Sequence, residues 1–273
     1  MSTDLATDAA VSANAGGSFV VTWLRLASTN WIVEARRYGA DGLPLGNPFT
    51  VSTFLDFAYS EETAVELRDD QSFIVGWGDG EEIFGRLYDS AGNPTTAAFQ
   101  LSQLGPFSFW SFALDVGCEG TGRFRFFWAT DINLEEAAPV TRTVTADGVL
   151  GPLTQLDFPS HGTFGYSMTG DGEFIVTRNW LWGHFLEGER FDTQHTVLSE
   201  FGIEQYAGPG FTLRNGTLAH GGADSQEFVA VWMNEPLPGG PPYPEIRARR
   251  FRAGIFADGF ESGDTSAWSA TVP

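Results

Sequence analysis

The pentapeptide FVVTW, residues 19–23, decides the fold because the chain repeats it. Apolar residues fill nearly every position, as expected of a short strand that is buried on both faces. Four related segments follow it along the chain: FIVGW (73–77), FRFFW (124–128), FIVTR (174–178) and FVAVW (228–232). Their last residues lie 54, 51, 50 and 54 residues apart. The chain therefore contains five copies of a unit of about fifty residues.

A second motif follows each pentapeptide after a variable loop. It consists of a small residue, an arginine, any residue, an aromatic or apolar residue and then a turn. The arginines are Arg36, Arg86, Arg142 and Arg249, and the fourth unit has Glu189 at this position. A residue type that recurs in this way indicates a structural role, such as pairing with acidic turns. The alternative is a ring of guanidinium groups that binds anions in a central channel.

Each unit also contains a strand candidate before the pentapeptide, such as TAVELR (63–68), and the early units contain another after the arginine motif, such as FQLSQ (99–103). Four short strands joined by Gly, Asp and Asn turns make one blade of a β-propeller. One four-stranded sheet cannot bury both faces by itself, whereas neighbouring blades cover each other. We therefore predict an all-β fold, a β-propeller of five four-stranded blades.

The predicted organisation is a single propeller domain over residues 1–254, followed by a C-terminal tail at 255–273. A β-sandwich and a part of a larger propeller are the alternative folds. The last blade needs an outer strand. Either residues 255–261 of the tail supply it, or residues 3–7 pair there and fasten the ring.

Charge and composition exclude several functions. The net charge of −20 comes from 35 acidic and 15 basic residues, which disfavours nucleic acid and anionic membranes as partners. All 15 basic residues are arginine, so Schiff-base lysines and a phosphate-loop lysine are excluded. Cys118 is the only cysteine, which excludes an intrachain disulfide. No apolar run approaches the length of a transmembrane helix, and no signal peptide is visible.

The pattern G-x-F-V-V-x-W followed by R-x-Y-D-x-x-G resembles tandem repeats of large secreted and surface proteins of bacteria. The tail IFADGFESGDTSAWSATVP (255–273) resembles an ending of exported proteins from GC-rich Gram-negative bacteria. Its core, FESGDTSAW, also resembles the opening strand of jelly-roll carbohydrate-binding modules, although no such module follows. These resemblances imply an extracellular or cell-surface protein and no activity that can be assigned to particular residues. The missing signal peptide departs from this picture, and a truncated or misassigned start would explain it.

Tryptophans outside the repeat frame are the candidate ligand-binding residues. Loops on a rigid scaffold carry binding functions, and an exposed indole can stack on a sugar ring. These residues are Trp31, Trp110, Trp180 and Trp182. Packing over blade edges is the alternative role for them, and the tryptophans that end the pentapeptides are expected to pack between blades.

The variable loops contain a set of carboxylates, which are Asp79, Glu81, Glu82, Asp131, Glu135 and Glu136. We expect them to form a solvated rim of the ring, and catalysis or Ca²⁺ binding is the alternative role for them. Two suitably spaced carboxylates suffice for glycoside hydrolysis, and the turn GDGEE (78–82) offers hard oxygen ligands to calcium. VWMNEP (231–236) resembles the Asn-Glu-Pro motif of barrel glycosidases. Because it lies in a predicted propeller strand, we interpret the match as a coincidence and assign no catalytic role to Glu235. The four histidines lack metal-ligand spacing.

We predict a non-catalytic extracellular binding or scaffold module that acts as a monomer. Its ligand is a polysaccharide or a surface protein, and it needs no cofactor, with Ca²⁺ as the one candidate ion. A five-bladed propeller glycosidase that uses the loop carboxylates is one alternative. A purely structural repeat segment of an adhesin is the other.

Overall fold

A computed structural model describes residues 5–55, 62–79, 82–103, 111–131, 137–158, 164–180, 185–205, 211–220, 227–236 and 245–252. Strands and turns make up this part of the chain, and it contains no helix long and apolar enough to span a bilayer.

The strands form five antiparallel sheets, which we call blades one to five in chain order. Blade one consists of β1 (Leu5–Ala13), β2 (Phe19–Ala27), β3 (Asn30–Tyr38) and β4 (Phe49–Leu55). Blade two consists of β5 (Thr63–Leu67), β6 (Phe73–Gly78), β7 (Ile83–Tyr88) and β8 (Phe99–Gln100). Blade three consists of β9 (Ser111–Cys118), β10 (Phe124–Asp131), β11 (Ala137–Val144) and β12 (Leu150–Gln155). Blade four consists of β13 (Phe164–Met168), β14 (Phe174–Trp180), β15 (Phe185–Phe191) and β16 (Val197–Gln205). Blade five consists, among the described residues, of β17 (Phe211–His220), β18 (Glu227–Pro236) and β19 (Glu245–Arg252).

The first strands of successive blades lie side by side. β1 contacts β5, β5 contacts β9, β9 contacts β13, and β13 contacts β17. Within each blade the strands pair in chain order, so every blade is a meander that runs outward from its first strand. This arrangement is a β-propeller, which confirms the predicted fold class. Five separate sheets exclude the two-sheet sandwich.

The repeated pentapeptides form the second strand of each blade and fill the space between blades. Their first, third and fifth residues face the preceding blade, as Phe73, Val75 and Trp77 do where they pack with Val20 and Leu24 of blade one. Three further clusters join blades two to three, three to four and four to five. Each buried aromatic or aliphatic side chain stabilises the fold by roughly 1.5–3 kcal/mol, so these clusters hold the propeller together.

The outer faces of the first and last blades are less covered than the faces between blades. Ile83 in blade two and Leu186 in blade four are 1% and 2% exposed, whereas Ile246, the equivalent residue of blade five, is 79% exposed. Trp23 of blade one is partly exposed, although Trp77 at the same repeat position is buried. Among the described residues, no apolar cluster joins blade five to blade one.

Residues 5–7 pair with Leu24, Arg25 and Leu26 inside blade one. The expectation that residues 3–7 fasten the last blade is therefore wrong for residues 5–7, because they belong to the innermost strand of blade one and not to the outer edge of blade five. Residues 255–261, the other candidate for the outer strand, lie outside the described part of the chain.

In blades two, three and five, the arginine of the second motif bridges the blade to the one before it. The Nη1 group of Arg86 donates to the carbonyl oxygen of Val51 at 2.7 Å. Arg142 donates in the same way to the carbonyl of Leu101 at 2.8 Å, in the segment that follows β8 of blade two. The repeated arginine is thus structural, as expected, but it binds a backbone carbonyl of the preceding blade and not an acidic turn.

Candidate binding cavity

A cavity of about 980 Å³ opens where the first strands of blades one to four meet. The inner strands β1, β5, β9 and β13 and the turns that follow them form its wall. Because each wall strand belongs to a different blade, residues about fifty positions apart in the chain meet in one place. The charged residues that line it are Glu66, Arg68, Asp69, Asp70, Asp115 and Glu119.

Glu66 lies near the end of β5 and bonds to blade one. The Ser12 hydroxyl donates to its Oε2 atom at 2.9 Å, while the Ser12 oxygen accepts the amide N–H of Leu67 at 2.9 Å. Burial raises the pKa of Glu66 to about 7, and the charge of Asp115 contributes to this rise. The hydrogen bonds from Ser12 and from the Cys118 amide oppose it. Glu66 therefore titrates near neutral pH.

Asp115 occupies the middle of β9 in blade three. Its Oδ1 atom accepts the amide N–H of Val116 at 2.7 Å. Burial raises the pKa of this carboxyl to about 7 as well. The cavity thus holds two carboxyl groups that change protonation near neutral pH and repel each other when both are ionised.

Tyr166 of β13 lies on the wall contributed by blade four. Its ring stacks on Phe127 of blade three, with the ring centroids 5.2 Å apart. Burial raises the pKa of the phenol, and the charges of Asp115 and Glu62 raise it further. The phenol therefore stays protonated at neutral pH.

Two more carboxylates tie the inner strands together. Oδ2 of Asp8 accepts the amide N–H of Thr63 at 2.6 Å, and Oε2 of Glu62 accepts the amide N–H of Leu114 at 2.6 Å. Burial raises the pKa of both carboxyl groups. Asp8 and Glu62 hold equivalent positions in blades one and two, so the same hydrogen bond to the inner strand of the next blade occurs twice.

The other charged residues at the cavity are compensated by neighbours. Glu119 forms ion pairs with Arg123 at 2.6 Å and with buried Arg125 at 2.9 Å. Arg68 lies 3.7 Å from Asp70. By contrast, within the described residues neither Glu66 nor Asp115 has a cation within ion-pair distance. Together with Asp69, whose Oδ1 atom accepts the amide N–H of Ala15 at 3.1 Å, they are the acids on the described cavity wall that lack an ion-pair partner.

None of the tryptophans predicted to bind ligand lines this cavity in the described structure. Trp31 is 7% exposed and packs in the apolar cluster between blades one and two. Its ring therefore has the alternative role given above, packing between blades. Trp180 ends β14, where only its backbone is described, and Trp110 and Trp182 lie outside the described residues. For these three, the binding role stays a prediction.

The predicted loop carboxylates also lie away from the cavity where they are described. Oδ1 of Asp79 accepts the amide N–H of Glu82 at 2.9 Å, and the Glu82 carboxylate accepts the hydroxyl of Ser102. These bonds close the loop between β6 and β7 of blade two. Glu81, Glu135 and Glu136 lie outside the described residues, and only the backbone of Asp131 and Glu235 is described.

In the described ranges, no group of three or more His, Cys, Asp or Glu side chains could hold a metal ion. The predicted calcium turn GDGEE includes residues 80 and 81, which lie outside those ranges.

Sequence reasoning missed Glu66 and Asp115, although a signal was present. Each is a single carboxylate within an otherwise apolar strand, in TAVEL (63–67) and in FALDVG (112–117). An isolated acid in a strand that faces other blades must find a polar environment. In this fold, the central cavity provides that environment.

No family model and no curated protein matches this sequence. Solved structures of similar fold include the polysaccharide lyase Uly1, with 11% identity and a TM-score of 0.53 over 89% of this chain and 57% of that one. A PL25 ulvan lyase bound to -[GlcA(1-4)Rha3S]- has 11% identity and a TM-score of 0.54 over 88% of this chain and 67% of that one. The Hadza microbial sialidase Hz136 has 7% identity and a TM-score of 0.53 over 91% of this chain and 58% of that one. The chain spans less than two thirds of Uly1 and of Hz136, and likeness at these identities extends to the fold alone.

Proposed function

We propose that this protein is a non-catalytic extracellular module that binds carbohydrate in its central cavity. The observation that carries the proposal is the cavity itself, about 980 Å³ in volume and lined by carboxyl and hydroxyl groups from four blades. Small-molecule sites in proteins are concave, are few in number and occupy roughly 300–1,000 Å³. The cavity is large enough for a short oligosaccharide segment.

The chemistry of the wall supports a sugar as ligand. Carboxylate oxygens accept hydrogen bonds from sugar hydroxyl groups, and the hydroxyls of Ser12 and Ser167 can donate or accept. Apolar side chains of Val11 and Met168 supply surface for the C–H faces of a sugar ring. The solved structures of similar fold include two polysaccharide lyases and a sialidase, which agrees with this ligand class.

A substitution that fills the cavity tests the proposal. Val11 lines the cavity and its side chain is 65% exposed, so Val11→Trp places a large ring in the cavity without disturbing a buried cluster. The purified protein is applied to immobilised cellulose, chitin, chitosan, xylan and pectin, and retention is measured. We expect retention of the native protein on at least one polysaccharide and its loss in Val11→Trp.

The matched control is Val149→Trp. Val149 is 59% exposed in the turn before β12 and does not line the cavity, so this variant is expected to be retained like the native protein. Equal retention of Val11→Trp and the native protein would contradict the cavity as the binding site. A failure of the native protein to bind any of the five polysaccharides would contradict the proposed function.

Glycoside hydrolysis is a second candidate, favoured by the two carboxyl groups whose pKa is raised to about 7. A pair in which one carboxyl is protonated and the other ionised supplies an acid and a base. Reducing sugar released in the same samples distinguishes the two functions. Release that disappears in Glu66→Gln would establish hydrolysis, whereas retention without release supports a binding module.

A further inference from the structure

We propose that the cavity selects a positively charged carbohydrate, an amino sugar with a free ammonium group, over neutral and acidic sugars. This inference rests on the proposed function, since it names the ligand class of the same cavity. We argue it from the charged residues on the cavity wall and from the ion-pair or hydrogen-bond partner of each one.

The cavity wall is strongly acidic after its internal ion pairs are subtracted. Five of the six charged residues on the described part of the wall are acids, and Arg68 is the single cation among these six. Arg68 faces Asp70, and Glu119 is neutralised by Arg123 and Arg125. Three acids remain, Glu66, Asp69 and Asp115, and neutral groups alone contact them in the described structure.

A bound cation would stabilise the ionised forms of Glu66 and Asp115 more than those of the other acids on the wall. Buried carboxylates in proteins are normally paired with a cation or else take up a proton. Here Glu66 has the Ser12 hydroxyl and Asp115 has the Val116 amide, which are neutral donors. An ammonium group brings three N–H donors and a full positive charge to one point. Beside either carboxyl group, it can therefore replace the proton that this group would otherwise retain.

The same charges disfavour acidic sugars. A uronate or another sugar acid needs guanidinium groups or amide donors to hold its carboxylate. In this cavity, the one guanidinium on the described wall lies beside Asp70, and a ligand carboxylate would meet Glu66 and Asp115. The ulvan lyase of similar fold binds a GlcA-containing chain. The cavity of this protein carries the opposite charge preference.

Three tetrasaccharides of equal length test the inference by isothermal titration calorimetry at pH 6.5 and low ionic strength. They are a glucosamine tetramer with free amines, its N-acetylated form and a galacturonate tetramer. We expect the free-amine tetramer to bind at least about tenfold more tightly than the N-acetylated form, since close charge pairs contribute this much or more to affinity. No binding of the galacturonate tetramer is expected.

Variants of the two carboxyl groups separate binding in the cavity from general attraction to an acidic protein. The double variant Glu66→Gln, Asp115→Asn is expected to bind the amine and N-acetylated tetramers within about threefold of each other. Glu200→Gln removes one charge from an exposed position of β16 and is expected to keep the native preference. Thermal unfolding of each variant establishes that it is folded.

The outcomes are distinguishable. Equal or tighter binding of the N-acetylated or galacturonate tetramer by the native protein would overturn the charge preference while leaving carbohydrate binding intact. Persistence of the amine preference in the folded double variant would overturn the assignment to Glu66 and Asp115. If the native protein bound none of the three, both the preference and the proposed function would be contradicted.

Discussion

Replacing Asp115 by asparagine is expected to stabilise the protein at alkaline pH. Asp115 lies in β9 on the cavity wall and has no cationic partner among the described residues, and desolvation makes its ionisation unfavourable in the folded state. Asparagine has nearly the same shape and its carbonyl can still accept the Val116 amide N–H, which the aspartate accepts at 2.7 Å. The substitution therefore removes the charge and keeps the hydrogen bond.

The size of the effect follows from the pKa of the carboxyl. It rises from an ordinary value of 3.8 to about 7 on folding, and each pH unit corresponds to about 1.36 kcal/mol. Between these two values the folded protein holds a proton that the unfolded chain has released. Raising the pH across this window therefore lowers the free energy of unfolding, by about 4 kcal/mol at most, and above about pH 8 it changes no further. The Asp115→Asn variant would not show this loss, because its side-chain amide cannot ionise.

Urea unfolding, followed by tryptophan fluorescence between pH 4 and pH 8.5, measures the difference between the native protein and Asp115→Asn. We expect near-equal free energies of unfolding at pH 4 and a variant that is more stable by roughly 2–4 kcal/mol at pH 8, where the aspartate is ionised. Asp89→Asn is the control, because hydrogen bonds from Asn93 lower the pKa of this carboxyl. Its ionised form stabilises the folded state, so Asp89→Asn is expected to be less stable than the native protein at pH 8. A difference between native protein and Asp115→Asn that did not grow with pH would refute the reasoning.

Three further predictions concern the packing of the blades. Ile83→Ala is expected to lower the free energy of unfolding by about 2–5 kcal/mol, because Ile83 is 1% exposed and its loss leaves a cavity. Ile246→Ala, at the same repeat position but 79% exposed, should change it by less than about 0.5 kcal/mol. Gly76→Ala should cost about 1–3 kcal/mol, since an added Cβ would lie 2.5 Å from the ring of Phe126. Arg142→Met should cost about 1–3 kcal/mol by leaving the carbonyl of Leu101 without its donor.

Chemical denaturation of each variant beside the native protein measures these differences. Similar losses for Ile83→Ala and Ile246→Ala would show that blade five is covered as fully as blade two. An unchanged Gly76→Ala would mean that blade three can move away from blade two at no cost. Native stability in Arg142→Met would remove the arginine from the contacts that join neighbouring blades.

Much of the fold could be read from local patterns. FVVTW and its copies carry apolar residues on both sides of a strand, and this pattern depends on the chain segment alone. Turn residues between the copies mark the strand ends for the same local reason. The repeat length then limited the fold to blades that cover one another. These signals predicted the strands, the repeat and the propeller, all of which the structure contains.

The site could not be read in the same way, because its residues are far apart in the chain. Glu66 and Asp115 belong to different repeats, and it is the packing of β5 beside β9 that brings their charges together. The direction in which Trp31 points was equally hidden, since a tryptophan in a strand can face solvent or the next blade. Its burial against blade two was settled by packing.

The sequence by itself thus determined the period of the chain, its strands and its acidic character, because each of these is a property of short segments or of composition. The tertiary structure alone decided which acids lose water and gain no counter-ion. Desolvation and charge pairing depend on what lies within a few ångströms of a carboxyl group, and for Glu66 and Asp115 those neighbours come from other blades.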